Sequence, residues 1–426
     1  MIAAQCFGAA TVHIEGATKK VLTEQPTAAS GLNAIYIVPS TMGLKVSVTP
    51  SSGKPSQVVW KTYDTRGGGF AEETPSYVEG DRSVLTTVKG DCGYIVEDGT
   101  DPTYFWIVDY SQNALDLNAL SVGSESDCQF TQLILSGNAE PIEYYSINGR
   151  LMTLSRDLSL SYNTLTFNEE AFTYSQTQTT ETIEAATSGH IRVPAPLCAT
   201  SFTLSGDRFL KEWGEQEGIS TPADYDPIAV EAHSKATRLD PPADNQSGGS
   251  SEGLGGSAPA NIRFEAVVSD AAIFHEWQFS TYADFEDITD RYSELSIDYT
   301  FDTVGSYYVR FACANYDGTC DYICDTYEIT IGDSSLKCPN VFSPGTSEGV
   351  NDVWKVSYKS IIKFECHIFN RWGKKMTSFT NPADGWDGTY NGKLVPTGVY
   401  YYVIKAEGAD GKKYDLSGDI NILRYK

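Results

Sequence analysis

No stretch of the 426-residue chain approaches the ~20 consecutive apolar residues that a bilayer-crossing helix needs. Methionine is scarce, with four residues, and so is histidine, with five. The histidines, His13, His190, His233, His275 and His367, form neither an HExxH pair nor a tight cluster, so no zinc-hydrolase motif is present. Each reads better as a surface or satisfied core residue than as a ligand or base. A P-loop and a dinucleotide-binding fingerprint are also missing. Residues 249–253 have the form GxSxG, but they lie in a Gly/Ser-rich stretch that cannot hold a nucleophile on a strand-to-helix turn. Basic residues are few, 31 against 56 acidic ones, and a net charge of −25 argues against non-specific nucleic-acid binding. Long runs with helical apolar spacing are lacking too, which leaves room only for short helices over 205–216 and 227–236.

What is abundant is Tyr, with 26 residues, and Gly, with 37, alongside many Ser and Thr. This is the composition of strands joined by tight turns. The length suggests three or four domains, each large enough for its own core. Charge is unevenly spread. Residues 338–426 carry twelve Lys and Arg against nine Asp and Glu, a net +3, so the rest of the chain carries −28.

The first ten residues, MIAAQCFGAA, are mostly apolar, uncharged and end in small side chains. They read as the tail of a secretory signal peptide without its basic start, or else as an ordinary first strand. If Cys6 leaves with such a peptide, eight of the nine cysteines remain, and an even count in a secreted chain suits disulfides. The pairs expected are Cys128–Cys198 and Cys338–Cys366, with one bridge among Cys313, Cys320 and Cys324. Free buried thiols are the alternative.

Residues 240–260, DPPADNQSGGSSEGLGGSAPA, hold almost no large apolar side chains and read as a flexible linker. Around it, three modules share one plan: an alternating strand, a turn, then an aromatic-centred strand. In the first, LKVSV at 44–48 precedes VVWKTY around Trp60. In the second, Leu133 to Leu135 precedes IEYYSI with Tyr144 and Tyr145. In the third, Phe264, Ala266 and Val268 precede IFHEWQF with Trp277. The expected fold is all-β: tandem immunoglobulin-like sandwiches ending in a small β-sandwich. The boundaries expected are 11–122, 123–239, 261–333 and 338–426.

Two resemblances follow from particular residues. YTF at 299–301, VGSYYVRF at 304–311 and TYEITI at 326–331 resemble a polycystic-kidney-disease-type domain, although Trp277 is followed by QFSTYADFED rather than by the usual Gly-Asp-Gly turn. The segment from 338 onward contains PNVFSP, GVNDVW, IFNRWG, WDGTYNGK, PTGVYYYVI and SGDI, in that order. It resembles the gliding-motility-associated C-terminal domain, the type B sorting domain of the type IX secretion system of Bacteroidetes. Its first loop departs from the family's acidic Asn-Gly-Asp-Gly run, reading GTSEG at 345–349.

This second resemblance implies a motif made of Asn351, Asp352, Trp354, Asn370, Arg371, Trp372, Gly373, Trp386, Asp387, Gly388, Gly398, Gly418 and Asp419. It also implies export through the type IX translocon, a PorP/SprF-type outer-membrane partner, and a final place on the cell surface or outside the cell. From the residues themselves, Ile368 and Trp372 are expected on one strand face, with Phe369 and Arg371 on the other. The basic charge of the tail fits an acidic receptor mouth, or simply keeps an edge strand soluble.

No catalytic constellation stands out, and the expectation is a non-enzymatic adhesive or structural surface protein. Carbohydrate binding is the first alternative, although Trp60 and Trp277 sit at core-like positions. A hydrolase within residues 30–235 is the second. No cofactor is required by the sequence. Glu348, Asn351 and Asp352 are the best oxygen donors for calcium, followed by Asp284, Glu286 and Asp287, with solvated loop carboxylates as the alternative.

Overall fold

A computed structural model describes residues 10–99, 101–184, 189–248, 253–346 and 349–424. Residues 1–9 of the possible signal-peptide remnant, with Cys6, the GxSxG stretch up to residue 252, and Glu348 lie outside the described residues. The chain is all-β and divides into two compact units, Met1–Thr166 with Gln176–Pro227 and Phe167–Ser175 with Ile228–Lys426.

The first unit opens with a sandwich of two sheets. One orders Thr11–Glu15, Lys45–Thr49, Arg82–Leu85 and Ser76–Glu79. The other orders Leu22–Glu24, Ala34–Val38, Thr103–Asp109, Cys92–Glu97, Val59–Tyr63 and Glu72–Glu73. Alternation along the strands sends Val46, Val48, Tyr94, Phe105 and Ile107 inward. Trp60 is 1% exposed, lies edge-on to Tyr94 and Phe105, and donates its Nε1–H to Ser83 Oγ of the facing sheet at 3.0 Å. It is a core residue, as its place in the alternation predicts.

A second sandwich follows. Its strands are Asp116–Val122, Phe130–Asn138 and His190–Pro194; a ribbon of Ile142–Tyr145 with Leu151–Leu154; and a sheet of Thr173–Ile183, Leu158–Asn168, Thr203–Gly206 and Glu217–Ser220. The short helix expected within 205–216 is present as Arg208–Glu212, capped by Asp207, whose side chain accepts from Leu210 N. Residues 227–236 are not helical, because the strand Ala232–Arg238 begins within them.

That strand moves a boundary. It pairs antiparallel with Ala260–Val268 over seven residue pairs, so the third sandwich starts before the Gly/Ser-rich stretch, not at residue 261. The described part of 240–260 is therefore a connection inside a domain rather than a linker between domains. Its backbone is bonded: Ser247 N donates to Tyr358 O at 2.7 Å and Gly256 N to Thr330 O at 2.7 Å. Asn245 Nδ2 reaches Val356 O and Pro382 O, both at 2.8 Å. Gly255 serves close approach here, since a Cβ at this residue would lie 2.5 Å from Thr330 O.

The third sandwich sets Ala232–Arg238, Ala260–Val268 and Ser296–Phe301 against a sheet centred on the long strand Gly305–Ala314. Phe274–Ser280 flanks that strand on one side, and Asp321–Ile323 and Tyr327–Ile331 on the other. Trp277 is 0% exposed and packs on Phe264 and Phe311, with ring centroids at 5.4 and 4.9 Å.

The last domain is built on a five-stranded sheet in the order Val341–Phe342, Lys413–Ile422, Gly398–Gly408, Ile361–Asn370 and Lys375–Phe379. The ribbons Ser335–Lys337 with Ser357–Lys359 and Thr389–Tyr390 with Lys393–Leu394 add Leu336, Tyr358 and Tyr390 to the core over its inner face.

The cysteines correct the expected pairing. Cys128 is half of a disulfide, and Cys320 is half of a disulfide. Cys338 and Cys366 are present as thiols, and so are Cys313 and Cys324. Cys198 is not in a disulfide either, which removes the Cys128–Cys198 bridge. Burial accounts for the thiols, because Cys313, Cys324 and Cys366 fill the two hydrophobic cores as small apolar side chains.

Candidate functional site

Most of the residues singled out in the last domain shape it. Trp354 and Trp386 are 0% and 2% exposed and exchange two backbone hydrogen bonds, at 2.8 and 3.0 Å. Each indole N–H is satisfied: Trp354 Nε1 donates to Pro339 O at 2.6 Å and Trp386 Nε1 to Thr389 O at 2.9 Å. A buried indole left unpaired is costly, so these tryptophans are tied to the loops that accept from them.

The polar members fix turns. Asn351 adopts φ 53, a left-handed conformation that asparagine tolerates. Asp352 places its two carboxylate oxygens on Gly345 N at 2.8 Å and Gly349 N at 2.7 Å. Asp387 Oδ1 accepts from Thr389 N and Oγ1 at 2.9 and 2.7 Å. Gly388, at φ 74, faces Pro344 so closely that a Cβ would lie 2.7 Å from its Cγ. Gly398 begins the longest strand of the sheet at φ 142. Gly418 leaves room for Tyr402, whose Oη would lie 2.6 Å from a Cβ there. Asp419 Oδ2 accepts from Asn421 Nδ2 at 2.8 Å.

Of the calcium donors expected in the first loop, Asn351 and Asp352 are among the described residues. Asp352 is occupied by backbone amides, and Glu348 lies outside the described residues. In the second acidic stretch, Asp284 Oδ1 accepts from Glu286 N at 3.1 Å, and Asp287 supplies its backbone carbonyl to Ser280. Among the described residues no group of three or more His, Cys, Asp or Glu is placed to hold a metal.

Asn370, Arg371, Trp372 and Gly373 form a hairpin tip. The alternation expected to continue through Trp372 stops at Asn370, whose Oδ1 accepts from Trp372 N and Lys374 N, both at 3.0 Å. Ile368 is buried, but Trp372 stands 75% exposed in the turn and does not share its face. Gly373 takes φ 77, the left-handed position of this turn. Arg371 lies over the Trp372 ring, 4.2 Å from its centroid.

The solvent face of the five-stranded sheet carries residues that the motif reading missed. Val399, Tyr401 and Val403 point outward at 42%, 46% and 38% exposure. Tyr401 stands between Phe369 and Asp419 in register, and Val403 between His367 and Ser417. The two-residue period of the strand turns Tyr400, Tyr402 and Ile404 to the core side, but VYYYVI is apolar or aromatic on both faces, so the sequence carried no polar-apolar signal for this outward row. On the inner side, burial pushes the Cys366 thiol up to about 12, and burial with the neighbouring Cys338 does the same for the Tyr402 hydroxyl.

Comparison with known proteins agrees with this architecture. Residues 121–221 match a fibronectin type III domain family, and residues 336–422 match the CHU_C type IX secretion signal domain family. No curated protein matches the chain. Among solved structures, a tetra-tandem repeat from the extending region of a large adhesion protein is 14% identical over 98% of this chain and 100% of that one, with TM-score 0.26. The FN1–FN3 domains of chicken CNTN1 are 11% identical over 73% of this chain and 99% of theirs, with TM-score 0.29. Dimeric latent PorU from Porphyromonas gingivalis is 10% identical over 76% of this chain and 35% of that one, with TM-score 0.16. The chain thus ends in a type IX secretion signal domain and carries a fibronectin type III domain ahead of it.

Proposed function

We propose that this chain is a non-enzymatic structural or adhesive protein displayed on the cell surface, with its last domain read by the outer-membrane export machinery. The secretion-signal match over 336–422 carries the export part. The role of the remainder is supported by its make-up. The first and third sandwiches spend their tryptophans, Trp60, Trp106 and Trp277, on cores, and Trp213 of the second is half-buried with its indole N–H donated to Lys20 O. Buried tryptophans cannot stack on sugars, which disfavours these three as a carbohydrate platform.

The partner of the signal domain would be of the PorP/SprF type, and the outward row Val399, Tyr401 and Val403 is the surface offered to it. Exposed aromatic and aliphatic side chains on a rigid strand are what an interface core requires. Asp419 and Lys405 flank the row and would set orientation.

The test is export from a Bacteroidetes host with a working type IX system. Full-length chain is compared with a chain lacking residues 338–426 and with Tyr401→Glu. Full-length protein outside the cell, with both variants retained in the periplasm, supports the reading. Equal export of all three sinks it. Export of Tyr401→Glu alone would move the recognition surface elsewhere on the domain.

A further inference from the structure

The outer face of the third sandwich carries a trough. In register across three strands, Phe274 faces Ala314 and Ala314 faces Asp321; one step along, Glu276 faces Ala312 and Ala312 faces Ile323. Directly paired residues share a sheet face. Two alanines therefore make a low floor between the walls Phe274 and Ile323, which are 56% and 49% exposed. The depression has a volume of about 350 Å³, and neither Lys nor Arg lines it. Glu276 is ion-paired with Arg291, which leaves Asp321 as the rim carboxylate without a basic partner among the described residues. Asp317 and Asp325 lie four residues to either side of Asp321 in sequence.

The last domain presents the complementary shape. Trp372 is 75% exposed at the tip of a turn braced by both Asn370 hydrogen bonds, and Arg371, Lys374 and Lys375 surround it in sequence. The turn is thus pre-organised, and little ordering cost accompanies insertion of the indole. Trp and Arg are both among the residue types enriched at interface hot spots. The charges match as well: the signal domain carries +3 and the rest of the chain −28.

We infer that Trp372 of one copy seats in the Phe274–Ile323 trough of a second copy, with the basic hairpin against the Asp321 rim. Knob and trough are different surfaces, so the contact is heterologous. A pair joined by one such contact keeps one free knob and one free trough, to which further copies add. The inference is independent of the export reading, because it concerns the exported, purified protein.

Sedimentation velocity of the full chain at low and at 0.5 M salt tests it, with the salt chosen because screening weakens charge contacts. Wild type is expected to grow beyond a dimer as its concentration rises into the high-micromolar range, and to shrink in salt. Trp372→Ala is expected to weaken association by at least about tenfold. Ala314→Lys, which fills the trough, is expected to do the same; Ile323→Ser replaces it if circular dichroism shows Ala314→Lys to be misfolded. The decisive sample mixes Trp372→Ala with the trough variant. Each retains one half of the contact, so the mixture must form one-to-one dimers and nothing larger. A wild-type chain that remains monomeric, a hairpin variant that associates like wild type, or a mixture that stays monomeric overturns the inference. The first of these outcomes would reserve the hairpin for the export partner.

Discussion

Arg156 Nη1 lies 2.7 Å from Asp207 Oδ2, with the two side chains 2% and 0% exposed. Arg156 also donates through Nε to Glu140 O and through Nη2 to Asn113 O, the latter at 2.7 Å. Asp207 also accepts from the Tyr110 hydroxyl at 3.0 Å and caps the Arg208–Glu212 helix through Leu210 N at 3.0 Å. One ion pair therefore binds the end of the first sandwich, the second sandwich and the only α-helix among the described residues.

Removing one partner should cost far more than removing both. Asp207→Leu leaves a buried guanidinium without its counter-charge and is expected to destabilise the first unit by about 3–5 kcal/mol. Arg156→Met together with Asp207→Leu should recover much of that loss, because an apolar pair of similar volume escapes the desolvation cost. Native-state hydrogen exchange on the full chain, read at amides of Leu158–Asn168 and Thr203–Gly206, measures both. A double variant no more stable than the single one would show that the network matters through its neutral hydrogen bonds instead.

Neither partner was legible in the sequence, for a physical reason. Arg156 and Asp207 are 51 residues apart, and nothing in the spacing of charges shows which pair will be desolvated together. What could be read was local. Alternation placed Trp60 and Trp277 in cores, and the ordered motifs located the last domain. Local reading failed where side-chain hydrogen bonds override pattern. Asn370 turns the chain just where alternation would carry Trp372 inward. Low apolar content likewise hid the 240–260 connection, whose order comes from backbone bonds and from the close fit of Gly255.

Asp109 gives a pH dependence with a definite sign. Burial acts to raise its carboxyl pKa, but Ser111 and Thr41 each donate a side-chain hydroxyl at 2.6 Å and a backbone N–H at 3.0 Å, and the net shift is downward. A folded-state pKa below the unfolded one, near 3.9, adds stability that is full above that value and is lost as pH falls through the folded value. Asp109→Asn should therefore be less stable than wild type at pH 7, by about 1–2 kcal/mol, with the gap closing below pH 4. Urea unfolding at pH 7 and pH 3 checks this. A gap that stays constant or widens in acid would refute the sign.

Two glycines of the last domain should respond differently to the same change. A Cβ at Gly418 would sit 2.6 Å from Tyr402 Oη and 2.8 Å from its Cζ, while Tyr402 is itself backed by Trp354 at 5.3 Å. Gly418→Ala is expected to cost about 1–3 kcal/mol by overpacking. At Gly411 a Cβ meets nothing within 4 Å, and only its φ of 77 resists substitution. Gly411→Ala should cost about 1 kcal/mol. Thermal unfolding of the two variants ranks them; equal losses would mean that the Tyr402 ring moves aside without cost.

The buried thiols make the last prediction. The Cys366 thiol is pushed up to about 12 by burial and by Cys338 beside it, Cys313 to about 12 by burial and by Cys324, and Cys92 to about 11 by burial. Thiolate is the species that reacts with alkylating agents, and at pH 8 these sites hold almost none. Iodoacetamide should therefore leave all three unmodified in the native chain over a time that fully modifies them in urea. Cys338, only partly buried, should be the first of the thiols to react. Peptide mapping by mass spectrometry reads each site separately. Recovery of a Cys338–Cys366 cross-linked peptide from unreduced protein would show that export through an oxidising compartment closes this pair, and it would restore the bridge that cysteine parity suggested. Rapid native alkylation of Cys366 would instead mean that the core of the signal domain opens on the timescale of the reagent, since neither thiolate content nor access permits the reaction in the closed fold.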